Sequence, residues 1–146
     1  WALSELVPAT PRADGIPANV ADVSPSFLEI YRQALAAEAA GLNEVFGIAL
    51  RKSLEFLIKD FLVHKRPDDK DAIERATLSA CIENYIDDPT TRAAAKRATW
   101  LGNDETHYLR KWEALEIADL KRLLHLAVNS IDNVLSLDGY VVRMPD

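Results

Sequence analysis

The stretch "LNEVFGIALRKSLEFLIKDFLVH", residues 42–64, carries apolar side chains over two adjoining arcs of a helix. Val45, Phe46, Ala49, Leu50, Leu54, Leu57 and Phe61 fall on one arc, and Ile48, Ile58 and Leu62 stand beside it. A helix so broadly apolar must contact neighbours on two sides. The segment therefore predicts the central helix of an all-α, antiparallel bundle of four to five helices.

Toward the N-terminus, Ser24 precedes Pro25 at a first helical position, and Ser26 with Glu29 has the spacing of a capping box. A helix is predicted from there, burying Phe27, Ile30, Tyr31, Ala34 and Ala37 and stopping at Gly41. Residues 1–23 hold three of the seven prolines and no helical period. They predict an extended strap that lays Leu3, Leu6, Ile16 and Val20 on the body, with a linker as the alternative. Toward the C-terminus, "KRPDD" turns the chain, and Asp68 or Asp69 is expected to cap a third helix to about Tyr85. "DDPTTR" is a second break, with Thr90 or Asp88 capping a fourth helix that ends near Leu101. From Trp112 to Leu137 the period is longest, with Ile117, Leu120, Leu124, Ala127, Val128, Ile131, Val134 and Leu135 on one stripe. "DGYVVRM" reads as a tail or short strand. The resulting division is a strap over 1–23, a helical bundle over 24–138 and a tail over 139–146.

A chain of 146 residues fits one domain and buries about two-thirds of the surface exposed when unfolded. Its single cysteine, Cys81, lies in the apolar run "LSACI" and reads as a buried small hydrophobe, so a reducing, cytoplasmic setting is the expectation. No run approaches the roughly 20 apolar residues of a membrane span, and no basic region followed by an apolar run marks a signal peptide. A start at Trp1 without Met is expected of a processed product or an excised fragment. The net charge of −6 disfavours RNA or nucleotide as a non-specific partner. The average conceals a local exception: between Arg92 and Lys111, five cations (Arg92, Lys96, Arg97, Arg110, Lys111) face two acids (Asp104, Glu105). Lys96, Arg97, Arg110 and Lys111 are the nucleic-acid-binding candidates.

Residue chemistry excludes the common enzyme signatures. His64, His107 and His125 have no metal-ligand spacing, and neither a phosphate-binding glycine loop nor a nucleophile elbow occurs, so no metal and no cofactor are expected. What remains is "WLGNDETHYLRKW", residues 100–112. Gly102 is expected to end the fourth helix, Asn103 to form an Asx-turn, and His107 to tie the loop where the chain re-enters a helix. On that reading, His107→Ala lowers the melting temperature. On a functional reading, His107 is a general acid or base. Arg51 and Glu55, spaced i,i+4 on the central helix, form an ordinary ion pair or meet the loop in a polar cluster of Arg51, Glu55, Asn103, Asp104 and His107.

Together "RKSLE" (51–55), "LSACIENYI" (78–86) and "LGNDETH" (101–107) resemble the prokaryotic domain of unknown function 4145, grouped with the HEPN-like helical superfamily. The resemblance covers roughly residues 17–137, from "IPANV" onward. It implies a helical bundle, frequent dimerisation or a protein partner, and association with bacterial defence and restriction-type systems. Catalytic members of that superfamily are metal-independent ribonucleases with an Arg, a polar residue and a later His. Asn103 matches the polar residue and His107 the histidine, while Gly102 stands in place of the Arg. Two expectations follow: a non-catalytic interaction or oligomerisation module, or a ribonuclease using His107 and Asn103 with Arg97 or Arg110 as the substitute cation.

Overall fold

The computed structural model describes residues 14–112 and 114–146. Among these residues the protein is all-helical, with seven α-helices and no strand. No described helix is long and apolar enough to cross a membrane.

Pro17, in an extended conformation, precedes α1 (Ala18–Val23). A strap was expected here, but α1 is a helix seated on the last helix, where Asn19 donates to Asp132 and Ser136. Ile16 and Val20 are buried as expected; the rest of the strap, at residues 1–13, lies outside the described residues. Ser24 then starts α2 (Pro25–Ala39): its hydroxyl accepts from the Phe27 amide at 3.3 Å, and Pro25 fills the first helical position, where no amide hydrogen is needed. The cap is therefore Ser24, and Ser26 with Glu29 stays exposed. Gly41, at φ +74°, lets the Leu42 amide donate back to Ala37 and turns the chain.

The central helix is α3 (Asn43–Lys65), which packs against every other described helix. Phe46, Leu50, Leu54, Leu57, Ile58, Phe61 and Leu62 are buried along it. Part of the expected apolar arc is solvent-facing instead: Val45 and Ile48 are about half exposed.

The single helix expected between Asp69 and Tyr85 is two. A 3₁₀ turn (Pro67–Asp69) leads into α4 (Lys70–Arg75), where no Asp side chain caps the entry. Thr77 then takes an extended conformation and accepts from the Ala80 amide, so α5 (Leu78–Tyr85) starts afresh. Lys59 of α3 holds the junction by donating to the Glu74 and Ala76 carbonyls at 3.2 and 2.8 Å. Asp88 caps α6 (Pro89–Asp104), and its carboxylate accepts from the Thr91 amide and from the Thr91 and Ser130 hydroxyls. α6 continues three residues past the expected end at Leu101. The last helix, α7 (Ile117–Arg143), begins later than Trp112, and its amide-bonded start is Glu116 donating to Asp119. It also runs through the segment read as a tail or strand. Its stripe of Leu120, Leu124, Ala127, Val128 and Ile131 is buried as the period predicts.

Candidate functional site

The C-terminal turn of α6 lies against α3, and their contact is set by a missing side chain. A Cβ at Gly102 would come 2.7 Å from Arg51 Cδ and 3.2 Å from its Cβ. Gly102 therefore sits inside the helix as a close-approach residue, correcting its expected role as a terminator. With the helices this close, Arg51 Nε donates to Asn103 Oδ1 at 3.1 Å and Nη1 to Glu55 Oε1 at 3.0 Å. Asn103 thus engages the neighbouring helix with its side chain, where an Asx-turn was expected. Lys59 reaches the other Glu55 oxygen at 3.2 Å. Burial alone pushes the Glu55 carboxyl up, but hydrogen bonds and charge from Arg51 and Lys59 outweigh it and hold the group below its ordinary value. The result is a string from Asn103 through Arg51 and Glu55 to Lys59 and the α4–α5 junction.

Asp104 and His107 do not join that string. Asp104, 5% exposed, turns to the loop and accepts from the Lys111 amide at 3.1 Å and the Trp112 amide at 2.6 Å. The clamp that closes residues 105–112 is therefore Asp104, in the role expected of His107. The His107 side chain is exposed and makes no hydrogen bond or ion pair among the described residues. A catalytic base is commonly held in place by a third group, and among the described residues no side chain orients His107. Neither candidate cation hydrogen-bonds to His107 among the described residues. Arg97 donates to the Ala93 carbonyl at 3.1 Å, and Arg110 to the Leu115 carbonyl at 3.0 Å with Glu105 at 3.9 Å.

The basic surplus is organised around an aromatic pair that sequence reasoning missed. Trp100 and Trp112 stack at 5.6 Å between centroids with an 11° interplanar angle. Lys96 and Arg97 lie over the Trp100 ring at 5.8 and 5.7 Å, and Lys111 over Trp112 at 5.5 Å. Such contacts contribute roughly 0.5–1 kcal/mol each at exposed positions. Lys96 is also paired with Glu83 at 2.7 Å. Beside the stack opens a cavity of 320 Å³ lined by Arg97, Trp100, Leu101, Trp112, Leu115 and Leu123. The available signal was two tryptophans twelve positions apart, Trp100 three residues after Arg97 and Trp112 directly after Lys111, but only the Asp104 clamp brings them together.

Of the other chemistry-bearing groups, His125 is half-buried and bonded to the Tyr31 hydroxyl at 2.6 Å. Cys81 is buried, with its thiol donating to the Ile73 carbonyl. No group of three or more His, Cys, Asp or Glu side chains that could hold a metal ion occurs among the described residues. Comparison with protein-family models, with curated proteins and with solved structures gives no match.

Proposed function

We propose that this chain is a non-catalytic, HEPN-like interaction module that associates with a second copy of itself. The observation that carries the reading is the far end of α7. Leu137, Tyr140 and Val141 recur at i, i+3 and i+4 and are 62, 55 and 58% exposed, and Met144 at the C-terminal cap is 72% exposed. A helix stripe of that spacing marks a packing face, and contiguous exposed apolar surface of this kind is a mark of association. Pairing about a twofold axis would bury the same four side chains from each copy. Each contributes up to about 1.5–3 kcal/mol if fully covered, against an association cost of about 4–15 kcal/mol.

The catalytic alternative, a metal-independent ribonuclease using His107 with Arg97 or Arg110, has the cations around the Trp stack in its favour. Against it stand glycine in the motif's Arg position and a His107 side chain that hydrogen-bonds to neither arginine among the described residues. Light scattering across a concentration series tests the module. A dimer that Val141→Glu converts to a folded monomer is the expected result, and a wild-type monomer at high concentration overturns it. Cleavage of RNA in EDTA by the wild type, lost in a folded His107→Ala variant, would establish the nuclease instead.

A further inference from the structure

The cavity beside the tryptophan stack is unlike the other hollows described in the chain. Those of 410, 390 and 90 Å³ each carry a carboxylate in their walls, from Asp87 and Asp88, from Asp88, and from Glu83 respectively. Among the described residues, the 320 Å³ cavity has two indoles, three leucines and a single charged residue, Arg97. Arg97 forms no ion pair with a carboxylate among the described residues. Its one hydrogen bond, from Nη1 to Ala93, uses one of five guanidinium donors. An apolar hollow at the lower end of ligand-site volumes, about 300–1,000 Å³, with the exposed Arg97 guanidinium at its rim has the form of a small-molecule site.

We infer that this cavity binds a small amphipathic monoanion, an aromatic or short aliphatic carboxylate. Its apolar body lies against Trp100, Trp112 and the leucines, and its carboxylate meets the exposed Arg97 guanidinium. Lys111, over the Trp112 ring, adds a second positive charge beside the stack. The apolar walls match a body without hydrogen-bonding edges. A nucleobase fits less well, because its polar edges would be buried unpaired among leucines. The site is also built in advance: Asp104 fixes the Trp112 backbone through its amide, so the wall that Trp112 supplies stands in place before any ligand arrives. Such preorganisation lowers the cost of binding.

Isothermal titration of the full chain with naphthalene-2-carboxylate, with 2-naphthalenemethanol as the neutral isostere and adenosine 5′-monophosphate as the nucleotide control, tests the inference. The carboxylate is expected to bind saturably and about tenfold or more tightly than the alcohol, the discrimination of one charge-assisted hydrogen bond. Arg97→Gln, at an exposed position, should bring the carboxylate down to the level of the alcohol. Leu115→Trp, in the loop, should fill the cavity and abolish binding of both. No saturation at millimolar carboxylate, equal binding of the alcohol, an unaffected Arg97→Gln, or tighter binding of the nucleotide would each overturn it.

Discussion

Gly102 and Arg51 touch so closely that the α6 backbone rests on the aliphatic stem of the arginine, with 2.7 Å between Arg51 Cδ and the place a Cβ would take. Alanine in a helix interior is favoured over glycine by about 0.5–1 kcal/mol. Overpacking costs about 1–3 kcal/mol, and displacement of Arg51 also loosens its bonds to Asn103 and Glu55. Gly102→Ala should therefore destabilise the protein by about 1 kcal/mol net, read from a denaturant melt. In an Arg51→Ala background the same substitution should become stabilising. A stabilising effect in the wild-type background would refute the close-packing account.

Asp104 and His107 exchange the roles that residue type suggested. Asp104→Ala leaves the Lys111 and Trp112 amides without their acceptor, which should cost about 1–3 kcal/mol. It should also raise the fluorescence change of the tryptophans as their stack loosens. His107→Ala, at an exposed and unpartnered side chain, should change stability by no more than about 0.5 kcal/mol. Equal losses in the two variants would restore His107 as a loop anchor.

His125 gives the fold a pH dependence near neutrality. Burial first, then the charges of Lys121 and Arg122, hold its imidazole below the ordinary value, with Asp14 acting in the opposite sense. Its partner Tyr31 is pushed up to about 12 by burial and by the Glu38 and Asp14 charges, so the phenol stays protonated in its hydrogen bond with the ring. The unfolded chain takes up the proton near pH 6.5, before the folded one does. This contribution is therefore present above pH about 6.5 and lost as pH falls from there through the folded value. Urea melts at pH 7.5 and pH 5.5 should show the loss in the wild type and a smaller one in His125→Gln. Identical slopes would remove His125 as the source.

Cys81 should be chemically silent in the folded state. Burial pushes its thiol up, against the opposing charge of Lys59, and its Sγ donates to Ile73. Since the thiolate is the reactive form, an aromatic disulfide reagent at neutral pH should modify the native chain only as fast as it opens, and the denatured chain at once. Rapid stoichiometric reaction of the native chain would contradict this burial.

Local rules carried the sequence reading furthest where one residue decides an element. The Ser24–Pro25 start, the Gly41 stop, the Asp88 cap and the buried stripe of α7 are all set by neighbours a few positions away. The short helix α1 escaped notice because Pro8, Pro11 and Pro17 read as extended chain, although Pro17 stands directly before a helix start. The α4–α5 break at Thr77 depends on Lys59 reaching across from α3, a contact no local pattern encodes. Gly102 was misread because glycine serves both left-handed turns and close helix packing, and only the partner helix tells them apart. At the site, the Arg51–Glu55–Asn103 link was legible in part, since i,i+4 spacing placed the first two together. The Trp100–Trp112 stack was not, because it depends on how a loop folds back.

The placement of α3 against every other described helix bears on how the molecule opens. No helix can detach without baring part of α3, so the amide protons of Leu54, Leu57 and Ile58 should exchange with deuterium only through global unfolding. The final turn of α7, around Val141 and Val142, has no such tether within the chain, so it should exchange by fraying in the monomer and gain protection on dimerisation. One helix thus makes the bundle a single cooperative unit.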